Sequence, residues 1–226
     1  MKYKAVIFDL YGTLVHSWSH EIEEMILTQM AAVLSLSVSD LAKAWRMTDD
    51  DRLTGVFKSY ESCIREICRR LKIIVTNDQI NAASIIRAKY AKLIIEPHDG
   101  IKDVLFELRV KGYRIGLISN ISMEGVKSWE TSTLSSLFDV TMLSCLEEMK
   151  KPDLRIFRLT CERLVVQPEE CLYIADGMDN ELEAAAAVGM TPILIRHPGA
   201  PVSAIEGSWK GPTISYLNEV FNFLCL

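Results

Sequence analysis

The chain alternates between two textures. Short runs that are apolar throughout or nearly so, Ala5–Phe8, Arg114–Ile118, Val140–Leu143, Leu172–Ala175 and Pro192–Ile195, stand among longer stretches with apolar residues at helical spacing. The short runs lack the in-out alternation of a sheet with one wet face, so they predict strands buried on both sides. Between them, Ile101–Val110 (ended by Gly112), Asp153–Leu164 and Glu181–Val188 (ended by Gly189) predict helices. Strand–helix alternation of this kind implies a parallel sheet with right-handed crossovers and helices on both faces. After Val15 the pattern changes. Ile22, Met25, Ile26, Met30 and Val33 mark one amphipathic helix, and Ser39-Asp40 opens a second through Arg46. Val56–Leu71 and Asn77–Leu93 complete a four-helix insert of about eighty residues. The expected architecture is therefore α/β. A Rossmann-like doubly wound core comprises residues 1–15 and 97–226, a helical cap comprises 16–96, and the hinges are His16-Ser17 and Glu96-Pro97.

Composition narrows the function. A net charge of −5 and the absence of a basic run argue against nucleic acid as a partner. No apolar stretch approaches the ~20 residues of a bilayer crossing, and the first residues lack the pattern of an export signal. The expectation from composition is a cytoplasmic globular protein, monomer or homodimer. The six cysteines form no CxxC pair, so they read as buried thiols rather than a disulfide scaffold or zinc site.

Chemistry is expected where the strands end, because open parallel sheets bind ligands beyond their carboxyl ends. "VIFD" ends on Asp9, "GLISN" on Ser119 and Asn120, and "LYIAD" on Asp176, while Lys151 follows the third strand. Any one of these polar ends is an ordinary helix cap; together they predict one cleft. Asp9, Asp176 and Glu181 in that cleft would leave one carboxylate holding a proton unless cations balance them. The Lys151 ammonium and a hard divalent cation, Mg²⁺, supply that balance. Asp9 is then free to attack an electrophile in line, with Ser119 and Asn120 as hydrogen-bond donors to the transferring group.

"FDLYGTL", "LISN", "KKPDLRIF" and "YIADGMDNELEAAAAVGM" resemble, in order, the four motifs of the haloacid dehalogenase (HAD) superfamily, and the helical insert is similar to the cap of its subfamily I. The resemblance implies Asp9 as nucleophile, Ser119 gripping the transferring group, and Lys151 neutralising it. It also implies a metal held by Asp9, the Tyr11 carbonyl, Asp176 and Glu181. Two departures pull apart. The family's phosphatases usually carry an aspartate as general acid where this chain has Tyr11, as the family's 2-haloacid dehalogenases do. With an ordinary pKa near ~10, tyrosine is a poor donor at neutral pH, and losing a general acid costs ~10²–10⁴ in rate. The Asp176–Glu181 pair points the other way, because dehalogenases need no metal and their carboxylate substrate would be repelled by it. The acidic pair outweighs the tyrosine. The expectation is a Mg²⁺-dependent phosphatase of small phosphomonoesters, ahead of a metal-independent 2-haloacid dehalogenase and a catalytically weak binding protein. His16, Trp18, His20, Trp45, Arg46, Arg52 and Lys58 lie in or beside the cap in this reading, where they could contact substrate. The cap arginines read as solvated surface, His20 as a replacement proton donor to test, and His197-Pro198-Gly199 as a plain loop.

Overall fold

A computed structural model of the chain describes residues 2–17, 20–199 and 209–224; Trp18 and Cys225 lie outside them. Strand β1 (Ala5–Phe8) is followed by the insert: α1 (His20–Leu34), α2 (Val38–Arg46), α3 (Asp49–Leu53), α4 (Tyr60–Arg70) and α5 (Asn77–Leu93). The chain then forms α6 (Ile101–Val110), β2 (Arg114–Ser119), α7 (Met123–Glu130), β3 (Val140–Leu143), α8 (Ser144–Glu147) and α9 (Leu154–Leu164). It ends with β4 (Cys171–Ala175), α10 (Glu181–Val188), β5 (Thr191–Ile195), β6 (Thr213–Ile214) and α11 (Phe221–Leu224).

All strand pairings are parallel, in the order β3-β2-β1-β4-β5-β6. Alternation along β1 splits the interior. Val6 and Phe8 pack on one face with Ile101, Leu105 and Leu117, while Ala5 and Ile7 pack on the other with Phe157, Tyr173 and Leu182. The sheet is thus covered by α6 on one side and by α9 and α10 on the other. The insert buries its own cluster, in which Ile26, Met30 and Leu34 of α1 meet Leu41, Trp45, Ile64 and Ile80. It leaves and rejoins the sheet region by a bridge between Val15 and Pro97, with the His98 N–H donating to the Leu14 carbonyl at 3.0 Å.

Several short elements escape the sequence pattern. The five-residue α3, Asp-Asp-Asp-Arg-Leu, has no apolar stripe; Arg52 holds it, donating to the Trp45 carbonyl at 2.7 Å and stacking on the Trp45 ring. Arg52 is therefore buried, not solvated as the sequence suggests. Helix α4 starts at Tyr60 rather than Val56, because Ser59 accepts the Ser62 N–H and fixes the first turn there. Edge strand β6 has two residues, too few to leave a period. The five described cysteines are buried free thiols. Among the described residues no single helix is long and apolar enough to cross a membrane.

Candidate active site

Strand register builds the site. Phe8 is paired to Leu117 on one side and to Ile174 on the other, so β1 stands where its two neighbours lead the chain in opposite directions. Ligands of open α/β sheets lie at that switch. Asp9, the next residue, donates its backbone N–H to the Ile174 carbonyl at 2.9 Å, which fixes its carboxylate beside the end of β4. Gly12 follows in the left-handed region at φ 77°, and a side chain there would overlap the Asp176 carboxylate. That position demands glycine twice, once for the backbone and once for the close approach.

Lys151 binds the site together. Its ammonium donates to Asp9 Oδ1 and, at 2.5 Å, to Glu181 Oε2, and it lies 3.4 Å from the Tyr173 hydroxyl. Burial pulls the ammonium pKa down, but Asp9 and Glu181 prevail and hold it above the ordinary lysine range. Asn120 aims the loop that carries it. Its Oδ1 accepts the Lys151 N–H at 2.8 Å, and its Nδ2 donates to the Lys151 carbonyl at 3.1 Å and to Asp179 at 2.8 Å. The Asn120 amide is thus engaged with main chain rather than open to the cleft. Ser119, at the end of β2, is fully buried, and its hydroxyl has no partner among the described residues.

The acidic residues come together as the sequence suggests. Carboxylate oxygens of Asp9, Asp176 and Glu181 lie within 4.8 Å of one another. Glu181 is buried; its Oε2 is shared by Lys151 and by the Tyr173 hydroxyl, which donates at 2.7 Å, while its Oε1 has no partner among the described residues. Burial pushes the Glu181 pKa up to about 8, Lys151 opposing and Asp9 and Asp176 adding to the rise. Asp176 rises to about 6 from burial and from Asp9, although the Met178 N–H that its Oδ1 accepts works against this. A buried oxygen without a partner, three hard oxygen donors and a surplus of negative charge over one lysine are the chemistry of a divalent-cation site. These residues fit Mg²⁺.

The Tyr11 phenol is poorly suited to giving up a proton. It is half-buried against the core beside Gly125, where an added side chain would meet its hydroxyl at 3.3 Å. Burial, Tyr60 and Asp9 together raise its pKa above the ordinary 10.0, so the phenol holds its proton even more firmly. His20 is exposed at the start of α1, and among the described residues no hydrogen bond or ion pair joins it to the carboxylates. Arg46 and Lys58 are exposed too, while Trp45 is buried inside the insert.

Sequence reasoning missed three participants. Tyr173 is hidden in an apolar strand, where a tyrosine reads as core. Arg87 lies on α5, buried over the Trp45 ring at 4.7 Å and paired with Glu23 at 2.6 Å; one arginine in a helix gives no signal of its direction. His197 donates from Nε2 to the Thr13 carbonyl at 2.8 Å and stacks on His98 at 4.0 Å, with His16 4.4 Å from His98. The loop that carries it is therefore not plain.

A model of the haloacid dehalogenase-like hydrolases matches residues 3–189, most of the chain. This chain belongs to that family. Its relatives include both phosphatases and haloacid dehalogenases. It is 25% identical over 198 residues to glyceraldehyde 3-phosphate phosphatase of Methanopyrus kandleri, covering 85% of this chain and 84% of that one. It is 28% identical over 190 residues to (S)-2-haloacid dehalogenase of Pseudomonas putida, covering 81% and 79%. The mouse acyl-CoA dehydrogenase family member 10 is 25% identical over 90% of this chain, which spans 19% of that longer protein. Among solved structures, a HAD family enzyme of Bacteroides thetaiotaomicron in complex with magnesium and inorganic phosphate superposes with a TM-score of 0.66 at 19% identity, over 92% of this chain and all of that one. The HAD-like hydrolase therefore carries the parallel α/β fold of its family.

Proposed function

We propose that this hydrolase is a Mg²⁺-dependent phosphatase of small phosphomonoesters, with residues 16–96 acting as a cap over the cleft. The observation that carries the reading is the Asp9–Asp176–Glu181 cluster with the unpartnered Glu181 Oε1. Asp9, the Tyr11 carbonyl, Asp176 and Glu181 would hold the metal. Bound there, it would neutralise charge on the phosphoryl oxygens and act as a Lewis acid. Asp9 Oδ2 is the nucleophile, since Oδ1 is occupied by Lys151. Its lone pair forms an O–P bond as the P–O bond to the leaving group breaks, giving an aspartyl-phosphate. Water then attacks phosphorus, returning Asp9 as carboxylate and releasing phosphate. The Lys151 ammonium offsets charge on the transferring group, and Ser119 Oγ, with no partner among the described residues, is free to donate to it. Asn120 keeps Lys151 aimed.

Tyr11 favours a second reading. A halide leaves without a proton, so a 2-haloacid dehalogenase working through an aspartyl ester would lose nothing by it. Assays of 4-nitrophenyl phosphate and 2-chloropropionate, each with Mg²⁺ and with excess EDTA, separate the two. Phosphatase activity lost on chelation and absent from Asp176→Ala supports the proposal. Halide release that ignores EDTA overturns it.

A further inference from the structure

One buried acid stands outside the carboxylate cluster. Glu124 lies on α7, 9% exposed, and its Oε1 accepts the backbone N–H of Tyr60 at the start of α4, across the boundary between core and cap. The first N–H groups of a helix have no partner within it. Ser59 takes that of Ser62 at 3.2 Å, and Glu124 takes that of Tyr60. A carboxylate at a helix start also meets the positive end of the helix dipole. Burial pushes the Glu124 pKa up and Glu61 on the same turn adds to the rise, while the Tyr60 N–H and Lys127 oppose it.

Tyr60 links this contact to the cleft. Its ring is buried 6.1 Å from Trp45, with the Arg87 guanidinium 6.0 Å from its centre. Its hydroxyl accepts from Ser122 Oγ at 3.5 Å, three residues beyond Ser119. Tyr60 and Arg87 are both close enough to act on the Tyr11 phenol, one raising and the other lowering its pKa. The start of α4 therefore sets how the cap's Tyr60 and Arg87 stand against Tyr11.

We infer that Glu124 is a positioning residue: from the core it anchors the first turn of α4 and so holds Tyr60 and Arg87 as the cleft wall facing Tyr11. Among the described residues no hydrogen bond or ion pair joins it to Asp9, Asp176 or Glu181. Its loss should lower the population of closed cap without changing chemistry in the closed state. A substrate that binds the closed form then shows a raised KM in proportion, and saturation restores kcat. The kinetic part rests on the phosphatase reading; the conformational part does not.

The test uses the full chain with Mg²⁺, comparing Glu124→Ala and Glu124→Gln with the parent. A cavity of about 290 Å³ lined by Glu124, Glu61 and Lys127 leaves room for water where the carboxylate is removed, so the alanine variant should fold. Cap-to-core distances are read from spin labels at Ile74→Cys and Val165→Cys, two exposed positions on opposite units. The expected result for Glu124→Ala is a broadened, longer distance distribution, with KM for 4-nitrophenyl phosphate raised about tenfold and kcat within about twofold. Glu124→Gln keeps an accepting oxygen and should stay near the parent in both. A purely structural role would lower the melting temperature of both variants and leave KM and distances unmoved, which overturns the inference. So would a fall in kcat at constant KM. If no phosphomonoester is turned over, the distances alone decide.

Discussion

Replacing Tyr11 by aspartate tests whether this residue sets the leaving-group preference. In the wild type the group two positions after Asp9 is a phenol whose pKa is raised by burial, Tyr60 and Asp9. It holds its proton at neutral pH too firmly to pass it on. An aspartate there would feel the same burial and the same Asp9, which lift a carboxyl from its ordinary ~3.9 towards the working range of a general acid; Arg87 would limit the rise. A positioned acid contributes about 10²–10⁴ in rate, or about 3–5 kcal/mol of barrier, and only where the leaving oxygen needs a proton. The substitution removes a half-buried ring from the core edge, costing about 1–3 kcal/mol of stability, which a melting curve reads separately. The assay is the ratio of kcat/KM for 4-nitrophenyl phosphate to that for glycerol phosphate. The wild type should strongly favour the aryl ester, and Tyr11→Asp should reduce the ratio at least tenfold by raising the alkyl rate. A folded variant with an unchanged ratio would refute the argument that Tyr11 limits alkyl substrates.

Three further outcomes follow from the charges. Asp176 and Glu181, raised to about 6 and about 8, hold protons that a metal must displace, so Mg²⁺ affinity should climb between pH 6 and 8 with proton release measurable by calorimetry in two buffers; pH-independent affinity would contradict the ligand assignment. Lys151→Met leaves Asp9 and Glu181 without their shared cation, so metal-free protein should lose about 3–5 kcal/mol in urea unfolding, and an unchanged midpoint would deny Lys151 that role. His98 is lowered from 6.5 to about 4 by burial, His197 and His16. The unfolded chain therefore takes up that proton first, and stability present above pH 6.5 is lost as pH falls towards 4, by at most about 3 kcal/mol and by less because the ring is partly exposed. His98→Gln should flatten that acid limb in a melting series.

The sequence carries the sheet well because a strand buried on both faces must be apolar at nearly every position, and few other structures ask for that. It carries the site for a related reason. A polar residue at the end of such a run, as in Asp9, Ser119 and Asp176, has nowhere to go but the carboxyl edge. What it hides are groups whose type is common and whose direction depends on packing. Tyr173 reads as core until its hydroxyl meets Glu181, and Arg87 reads as surface until α5 turns it under Trp45. Asn120 is legible as a site residue, but its engagement with the Lys151 main chain depends on how the loop after β3 folds back. Local rules also lose to tertiary ones in α3, where an acidic run becomes helical because Arg52 ties it to Trp45.

Tyr11 and the acidic pair look contradictory only while both are taken as votes for one of two enzymes. They act at different atoms. In the proposed reaction Asp176, Glu181 and any cation they hold would face the transferring group, whose charge must be balanced whatever departs from it. Tyr11 bears on the departing atom, which needs a proton only if it is a poor leaving group. A chain can therefore keep the first device and lack the second without internal conflict, provided its substrates leave readily or water supplies the proton. Burial of the Tyr11 phenol adds a constraint of its own. The ring packs on the core while Tyr60 and Arg87 of the insert act on its hydroxyl, so a residue unsuited to acid catalysis also stands where the insert meets the core. Exchanging it for an aspartate alters both at once, and for that reason the aryl-to-alkyl ratio, rather than either rate alone, isolates the proton.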